Sequence, residues 1–202
     1  MTDLQVPGRV AQVADVDAVV ETVTSAFFDD PLWAPIFSDK STRFNKMAAL
    51  WRVYVASAVP RFPWTFVTKN YEAATVWYPP GAAELTADEE AGFDEFLVEL
   101  AGQAAAREVQ AIGRAFDAAR PTEPYYYLSL LATHTDHRGR GLGMALLREN
   151  LGRIDLLGFP TYLESSNPDN DRRYESVGYQ KHGEITVPSG LQVSTFWRPA
   201  QS

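Results

Sequence analysis

Cysteine is absent from the 202-residue chain, which excludes a disulfide framework, a thiolate metal site and a cysteine nucleophile. Positive charge is scarce: 18 basic side chains stand against 26 acidic ones, for a formal charge of −8. That balance argues against nucleic acid or an anionic membrane surface as a partner, because both need a broad positive potential. No apolar run approaches the length that spans a bilayer, and the opening MTDLQVPGRVAQV lacks the basic start and apolar stretch of a signal peptide. These features predict a cytoplasmic protein. Histidine is rare too, with three in the chain. His134 and His137 lack carboxylates at ligand spacing, so no metal site is predicted. Internal repeats, low-complexity tracts and an interdomain linker are also missing. What remains is a chain with 46% apolar residues, enough to bury a substantial core in one domain spanning residues 1–202.

The apolar pattern divides that domain into helices and strands. A short strand around residues 9–13 precedes a helix with Val16, Val19, Val20, Val23 and Phe27 on one face, Asp15 as its N-cap and Asp29-Asp30-Pro31 as its stop. A second helix runs from Ser41 with Phe44, Met47, Trp51, Tyr54 and Ala58 aligned, until Pro60 and Pro63 end it. WTFVTK and AATVWYP read as a hairpin closed by Pro79-Pro80-Gly81. Thr86 to Glu89 is a capping-box pattern opening a long helical region to about Ala119, bent near Gly102 and Gly113, whose charges form a solvated face. EPYYYLSLLAT reads as a strand buried on both faces. A helix striped with Met144, Leu147, Leu151 and Ile154 follows, and Gly158 stops it. PTYLESS, a short helix, a strand from Tyr179 and a last strand beyond Pro188-Ser189-Gly190 complete an α/β domain with a mixed central sheet.

Between the buried strand and the striped helix lies HTDHRGRGLGM, with Gly139, Gly141 and Gly143 beside Arg138 and Arg140. A strand passing through glycines into a helix presents free backbone N–H groups at the positive end of the helix dipole, a site for phosphate. A P-loop needs Gly-Lys-Ser/Thr, but Met144 and Ala145 follow Gly143. The dinucleotide fingerprint needs Gly or Ala three residues after its second Gly, where Met144 or Leu146 stands. A serine-hydrolase elbow, Gly-x-Ser-x-Gly, is not present.

The pattern that fits is Arg138-x-x-Gly141-x-Gly143 after a buried strand and at the start of a helix, which resembles the coenzyme A diphosphate site of the GNAT acetyltransferase superfamily. The similarity extends to YLESSNPDNDRRYESVGYQ. Together with SAFFDDP, ATVWYPPG and EPYYYLSLLAT it resembles the puromycin N-acetyltransferase branch over nearly the whole chain. The resemblance implies a single GNAT-like α/β domain with a strand-loop-helix acetyl-CoA site at its centre, and acetyl transfer from acetyl-CoA directly to a primary amine of a small molecule, with no metal. It implies that the main chain of Leu131, Ala132 and Thr133 pairs with the pantetheine arm. Arg138, Gly139, Arg140, Gly141, Leu142, Gly143 and Met144 would then hold the diphosphate. Tyr174, seven residues after Asn167, matches the family's proton donor to the departing thiolate, and either Asn167 or Asn170 matches its coenzyme-contacting asparagine. Glu164 matches a position that some members use as general base, and is equally readable as a structural carboxylate. Asp29, Asp30, Trp33, Tyr78 and Tyr127 are candidates for an amine pocket, since carboxylates attract a cation and aromatic faces stack on it. Each alone also reads as a helix terminator or core aromatic. The alternatives are a protein N-terminus or lysine as acceptor, a longer acyl donor, or a catalytically silent CoA-binding sensor. Oligomeric state is not legible.

Overall fold

The computed structural model describes residues 8–201. Its seven-stranded sheet has the order β1-β2-β3-β4-β5-β7-β6, with β1 at Arg9–Val10, β2 at Thr65–Val67, β3 at Ala73–Tyr78, β4 at Tyr126–Thr133, β5 at Thr161–Ser165, β6 at Gln180–Thr186 and β7 at Gln192–Arg198. Every neighbouring pair is antiparallel except β4 and β5. The helices are α1 (Val16–Phe27), α2 (Lys40–Arg61), α3 (Ala87–Ala119), α4 (Leu142–Asp155) and α5 (Asp171–Glu175).

One face of the sheet carries α1, α2 and α3. Val19, Val20 and Val23 of α1 meet Met47, Leu50, Trp51 and Val55 of α2 over Val76, Tyr78, Leu130 and Ala132. The other face carries α4, whose Leu142, Leu146, Leu147, Leu151 and Ile154 pack on Phe66, Trp77, Leu128, Leu163 and Phe196. The sheet is therefore buried on both sides through its centre, which explains why β3 and β4 read as almost continuous apolar runs.

Several local expectations are refined. The helix stop at Pro60 falls one residue early: α2 runs to Arg61, because a proline in the last turn removes one N–H while Phe62 still donates to Ala58. Phe44 is exposed, and the buried stripe of α2 begins at Met47. The bend in α3 is at Gly102, with φ +82°, and not at Gly113. Thr86 and Glu89 form the expected reciprocal cap of α3. Asp15 occupies the residue before α1, but its side chain does not cap that helix. It accepts from both Arg9 Nη atoms at 2.6 and 2.8 Å, from the Tyr71 hydroxyl at 2.6 Å and from the Gln12 N–H at 2.7 Å. Arg9, assisted by Tyr71, overcomes burial and holds this carboxyl well below the usual range.

The feature that opens the candidate site is the junction of β4 and β5. The register of β3 with β4 slips between Val76 and Trp77, which oppose Leu130 and Leu128, so Ser129 is the extra residue of a β-bulge. A bulge bends its strand and re-aims a side chain. The pairing of β4 with β5 is confined to Tyr126–Thr161 and Tyr127–Tyr162. Beyond them the two parallel strands diverge, and β4 keeps a partner only on its β3 side.

Candidate functional site

The divergence of β4 from β5 opens into a cavity of about 900 Å³. At one end lies the glycine loop. Gly139 and Gly141 adopt φ +76° and +75°, the left-handed region that favours glycine, and a Cβ at either would meet nothing within 4 Å. Gly141 is the residue before α4, so the loop exposes its main chain beside the unpartnered N–H groups of that helix. Gly143 serves differently: a Cβ there would come within 2.4 Å of Thr133 Oγ1, so its bareness lets α4 lie close to β4. Arg138 donates to the Ala26 carbonyl at 2.6 Å, tying the loop to the last turn of α1.

The middle of the cavity is the unpaired edge of β4, with Leu128, Ser129, Leu130, Leu131 and Thr133 among its lining residues. Main-chain N–H and C=O groups on this edge have no strand partner, and such groups require one. An extended chain bearing amides supplies it by strand addition. An anionic group at the glycine loop and an amide-bearing arm along β4 together match the diphosphate and the pantetheine arm of CoA.

Facing β4 across the gap, Glu164 of β5 lines the cavity, and its Oε1 is sealed from solvent without a hydrogen-bond partner. Burial pushes its carboxyl up to about 7, against the pull of Arg120 and of the Tyr127 and Tyr162 phenols. Tyr174 of α5 is buried, lines the same cavity and packs against Tyr179 and Phe196. Burial raises its phenol above the ordinary value, reinforced by Asp171 and Asp30, so it is protonated and fit to donate.

The other expected site residues are partly gathered here. Asn167 and Asn170 both line the cavity, and both side chains are engaged locally: Asn167 accepts from the Asp169 N–H at 3.0 Å and Asn170 from Arg173 at 3.0 Å. Arg138, Gly139, Gly141, Leu142, Gly143 and Met144 line it, whereas Arg140 lies outside, 3.1 Å from His137 Nδ1. Leu131 and Thr133 contribute to the wall, while the Ala132 side chain packs into the core on the α1 side. Asp29, Asp30, Trp33 and Tyr127 line the cavity, but Tyr78 does not. Its ring is buried behind Tyr127, stacked at 6.3 Å, because β3 lies one strand away from the opening. Asp29 contacts the buried Arg43 at 3.4 Å. Asp30 accepts from Ser166 at 2.7 Å and from the Leu32 N–H at 3.0 Å, so it also ties the loop after α1 to the end of β5, and burial raises its carboxyl.

A second set of polar residues in the cavity was not foreseen. Glu84, from the loop before α3, accepts from Ser129 at the bulge and from Arg120 at the end of α3, both at 2.7 Å. Arg120 also pairs with Asp117 at 2.9 Å, and its guanidinium lies 4.3 Å over the Tyr127 ring. The aromatic wall is completed by Tyr54, Phe93 and Phe116. Arg120 carried one signal in the sequence, a cation between a long helix and an aromatic strand; Glu84 carried none.

Among the described residues, no group of three or more His, Asp or Glu is placed to hold a metal, and no helix is long and apolar enough to cross a membrane. Residues 51–179 match the family described as Acetyltransferase (GNAT) family. A Corynebacterium glutamicum structure described as histone acetyltransferase HPA2 and related acetyltransferase is similar at 24% identity and TM-score 0.66, covering 96% of each chain. An N-acetyltransferase from Staphylococcus aureus Mu50 is 17% identical with TM-score 0.61, over 95% of this chain and 99% of that one. Arylalkylamine N-acetyltransferase 2 from Aedes aegypti is 12% identical with TM-score 0.62, over 96% and 99%. At these identities the likeness is one of fold, whereas the family match spans more than half of the sequence. The chain thus belongs to the GNAT acetyltransferase family, whose co-substrate is acetyl-CoA, and is an acetyl-CoA-dependent N-acetyltransferase.

Proposed function

We propose that residues 1–202 act as one acetyltransferase domain that acetylates the primary amine of a small cationic or aromatic molecule, as the resemblance to the puromycin N-acetyltransferase branch implies. The observation that carries this reading is the acceptor end of the cavity. The wall that carries Glu164 and Tyr127 belongs to the same cavity as Trp33, Tyr54, Phe93 and Phe116, a setting for a cation attached to an apolar or aromatic body. The aromatic lining accords with the arylalkylamine class in the name of the Aedes aegypti neighbour.

In this reading the Gly139 to Met144 main chain and the start of α4 bind the diphosphate, and the free edge of β4 orients the pantetheine arm so that the thioester lies in the gap. The acetyl thioester supplies the acyl group. Glu164 removes a proton from the acceptor ammonium, the step that makes nitrogen nucleophilic, and an orphaned carboxylate titrating near neutrality suits that task. Tyr174 delivers a proton to the departing sulfur, and the buried walls keep competing water out. One of Asn167 and Asn170 contacts the coenzyme. With no cysteine, transfer proceeds without an acyl-cysteine stage.

The test is acetyl transfer to a panel of arylalkylamines, polyamines, amino acid amides and lysine peptides. Turnover of the small amines is expected. Turnover confined to peptides or proteins would replace this acceptor class with a protein one, the class in the name of the Corynebacterium glutamicum neighbour.

A further inference from the structure

Arg120 is a half-buried cation with an unusual set of neighbours. It donates to Glu84 at 2.7 Å and pairs with Asp117 at 2.9 Å, yet its Nε is buried without a hydrogen-bond partner. Glu164 lines the same cavity and likewise keeps one buried oxygen without a partner. The two groups share that cavity, with Arg120 4.3 Å over the Tyr127 ring, but form no ion pair within 4.0 Å. Glu84 is what holds this arrangement. One of its oxygens is fixed by Ser129 at the bulge and the other by Arg120, so the end of α3 is pinned to the strand that opens the gap. Its main-chain carbonyl is anchored in turn by Arg61 of α2 at 3.0 Å.

A close cation that is denied direct contact influences a carboxylate without occupying it. Had Arg120 closed on Glu164, the pair would have been a salt bridge, and the carboxylate would have lost most of its affinity for a proton. Had it been absent, a carboxyl beside Tyr127 and Tyr162 with one oxygen out of solvent would hold its proton too strongly to act as a base at neutral pH. The other charged or titratable group acting on Glu164 itself is Glu84 before α3, with His182 on β6 behind Tyr162, while Asp117 at the end of α3 and Tyr54 on α2 face Arg120 and Glu84.

We propose that the Glu84–Arg120 pair is a charge regulator of Glu164: Arg120, held short of contact by Glu84 and Asp117, sets how readily Glu164 takes the proton of the acceptor amine. Arg120 is a positioning residue in this scheme, acting through Glu164, and the inference rests on the reading of Glu164 as the base. The two members of the pair act in opposite senses. Arg120 favours the charged carboxylate. Glu84 disfavours it through its own negative charge, and through its hydrogen bond to Arg120, which holds the cation on Glu84.

The experiment is a pH titration of the Glu164 carboxyl by NMR in protein carrying 13C-labelled glutamate side chains, the signal being assigned by its loss in Glu164→Gln. Arg120→Gln is expected to move the midpoint upward by roughly one unit or more, the scale of an opposite charge a few ångströms away. Glu84→Gln is expected to move it downward by less, and Arg120→Lys, which keeps the charge, to stay closer to wild type than Arg120→Gln. The acidic limb of kcat/KM with phenethylamine as probe acceptor should shift in the same order. A midpoint unmoved in Arg120→Gln, or moved the same way in both neutral variants, overturns the proposal. Should Arg120→Gln not fold, Glu84→Gln and Arg120→Lys carry the test, and an upward or absent shift in Glu84→Gln overturns it. Failure of the underlying reading has a different signature: Glu164→Gln would retain wild-type turnover, while the carboxyl midpoints still report on the pair.

Discussion

Asp15 and Glu164 are both carboxylates withdrawn from bulk water, and they are treated in opposite ways. At Asp15 the chain supplies a bidentate arginine, a phenol and a backbone N–H, so the charge is fully engaged and the carboxyl is driven well below its ordinary range. At Glu164 one oxygen has no partner, the nearby arginine is kept away, and the carboxyl rises to about 7. The first arrangement joins β1, the start of α1 and the turn carrying Tyr71. The second leaves binding capacity open at the wall of a cavity. A buried charge whose bonds are complete stabilises a fold, whereas one whose bonds are incomplete is available to a substrate.

Substitution at the two positions sharpens this contrast. The largest effect is expected from Glu164→Gln, which removes the base while preserving shape; loss of general acid–base catalysis lowers the chemical rate roughly 10²–10⁴-fold. Single-turnover kinetics above pH 7 measure it, and a rate within a few-fold of wild type would make Glu164 a structural carboxylate like Asp15. Tyr174→Phe is expected next, with a loss toward the lower part of that range and acetyl-CoA affinity nearly intact by calorimetry, because in the proposed mechanism the phenol acts only as the C–S bond breaks.

Asp15→Ala is expected to cost about 3 kcal/mol of stability, read from chemical denaturation, since it strands Tyr71 and the Gln12 N–H and leaves Arg9 without its partner. Its rate per folded molecule should stay at the wild-type value. The depressed carboxyl of Asp15 contributes stability that is present above the unfolded value near 4 and lost as pH falls toward the folded one, so the difference from Asp15→Ala should shrink in acid.

The smallest effect has the opposite sign. Because the folded protein binds a proton at Glu164 more tightly than the unfolded chain does, wild type loses stability as pH rises from about 4.5 to about 7. Glu164→Gln escapes that loss. It should melt at the same temperature as wild type near pH 4.5 and higher at pH 8, where its stability exceeds that of wild type by on the order of 1–3 kcal/mol. Equal melting temperatures at both pH values would mean that Glu164 is satisfied in the folded protein after all.

The two ends of the cavity differ in how far the sequence disclosed them. The glycine loop is local: Arg138, Gly139, Gly141 and Gly143 sit within six residues, between a buried strand and an amphipathic helix, and each glycine answers to backbone geometry or close packing. The acceptor end is assembled from distant pieces. Glu84 and Ser129 are 45 positions apart, and they meet because of a one-residue bulge that no composition or period announces. The aromatic candidates fared accordingly. Trp33 and Tyr127 reach the opening, while Tyr78, equal to them as a sequence signal, lies on the next strand behind. Helix limits were read well where a cap or a left-handed glycine marks them, as at Thr86 and Gly158. The stop of α2 falls between the two expected prolines, Pro60 and Pro63, with Pro60 inside the last turn.

The parting of β4 from β5 has a mechanical consequence. Only two register pairs, Tyr126–Thr161 and Tyr127–Tyr162, stitch the four strands on one side of the sheet to the three on the other. A coenzyme arm laid along the open edge replaces the missing rungs, so the energy that binds it also resists relative motion of the two half-sheets. Loaded with co-substrate at a hundred times its dissociation constant, the molecule gains about 2.7 kcal/mol against unfolding. The gain would be concentrated as slowed amide exchange along residues 128–133, where the ligand serves as a strand of the sheet.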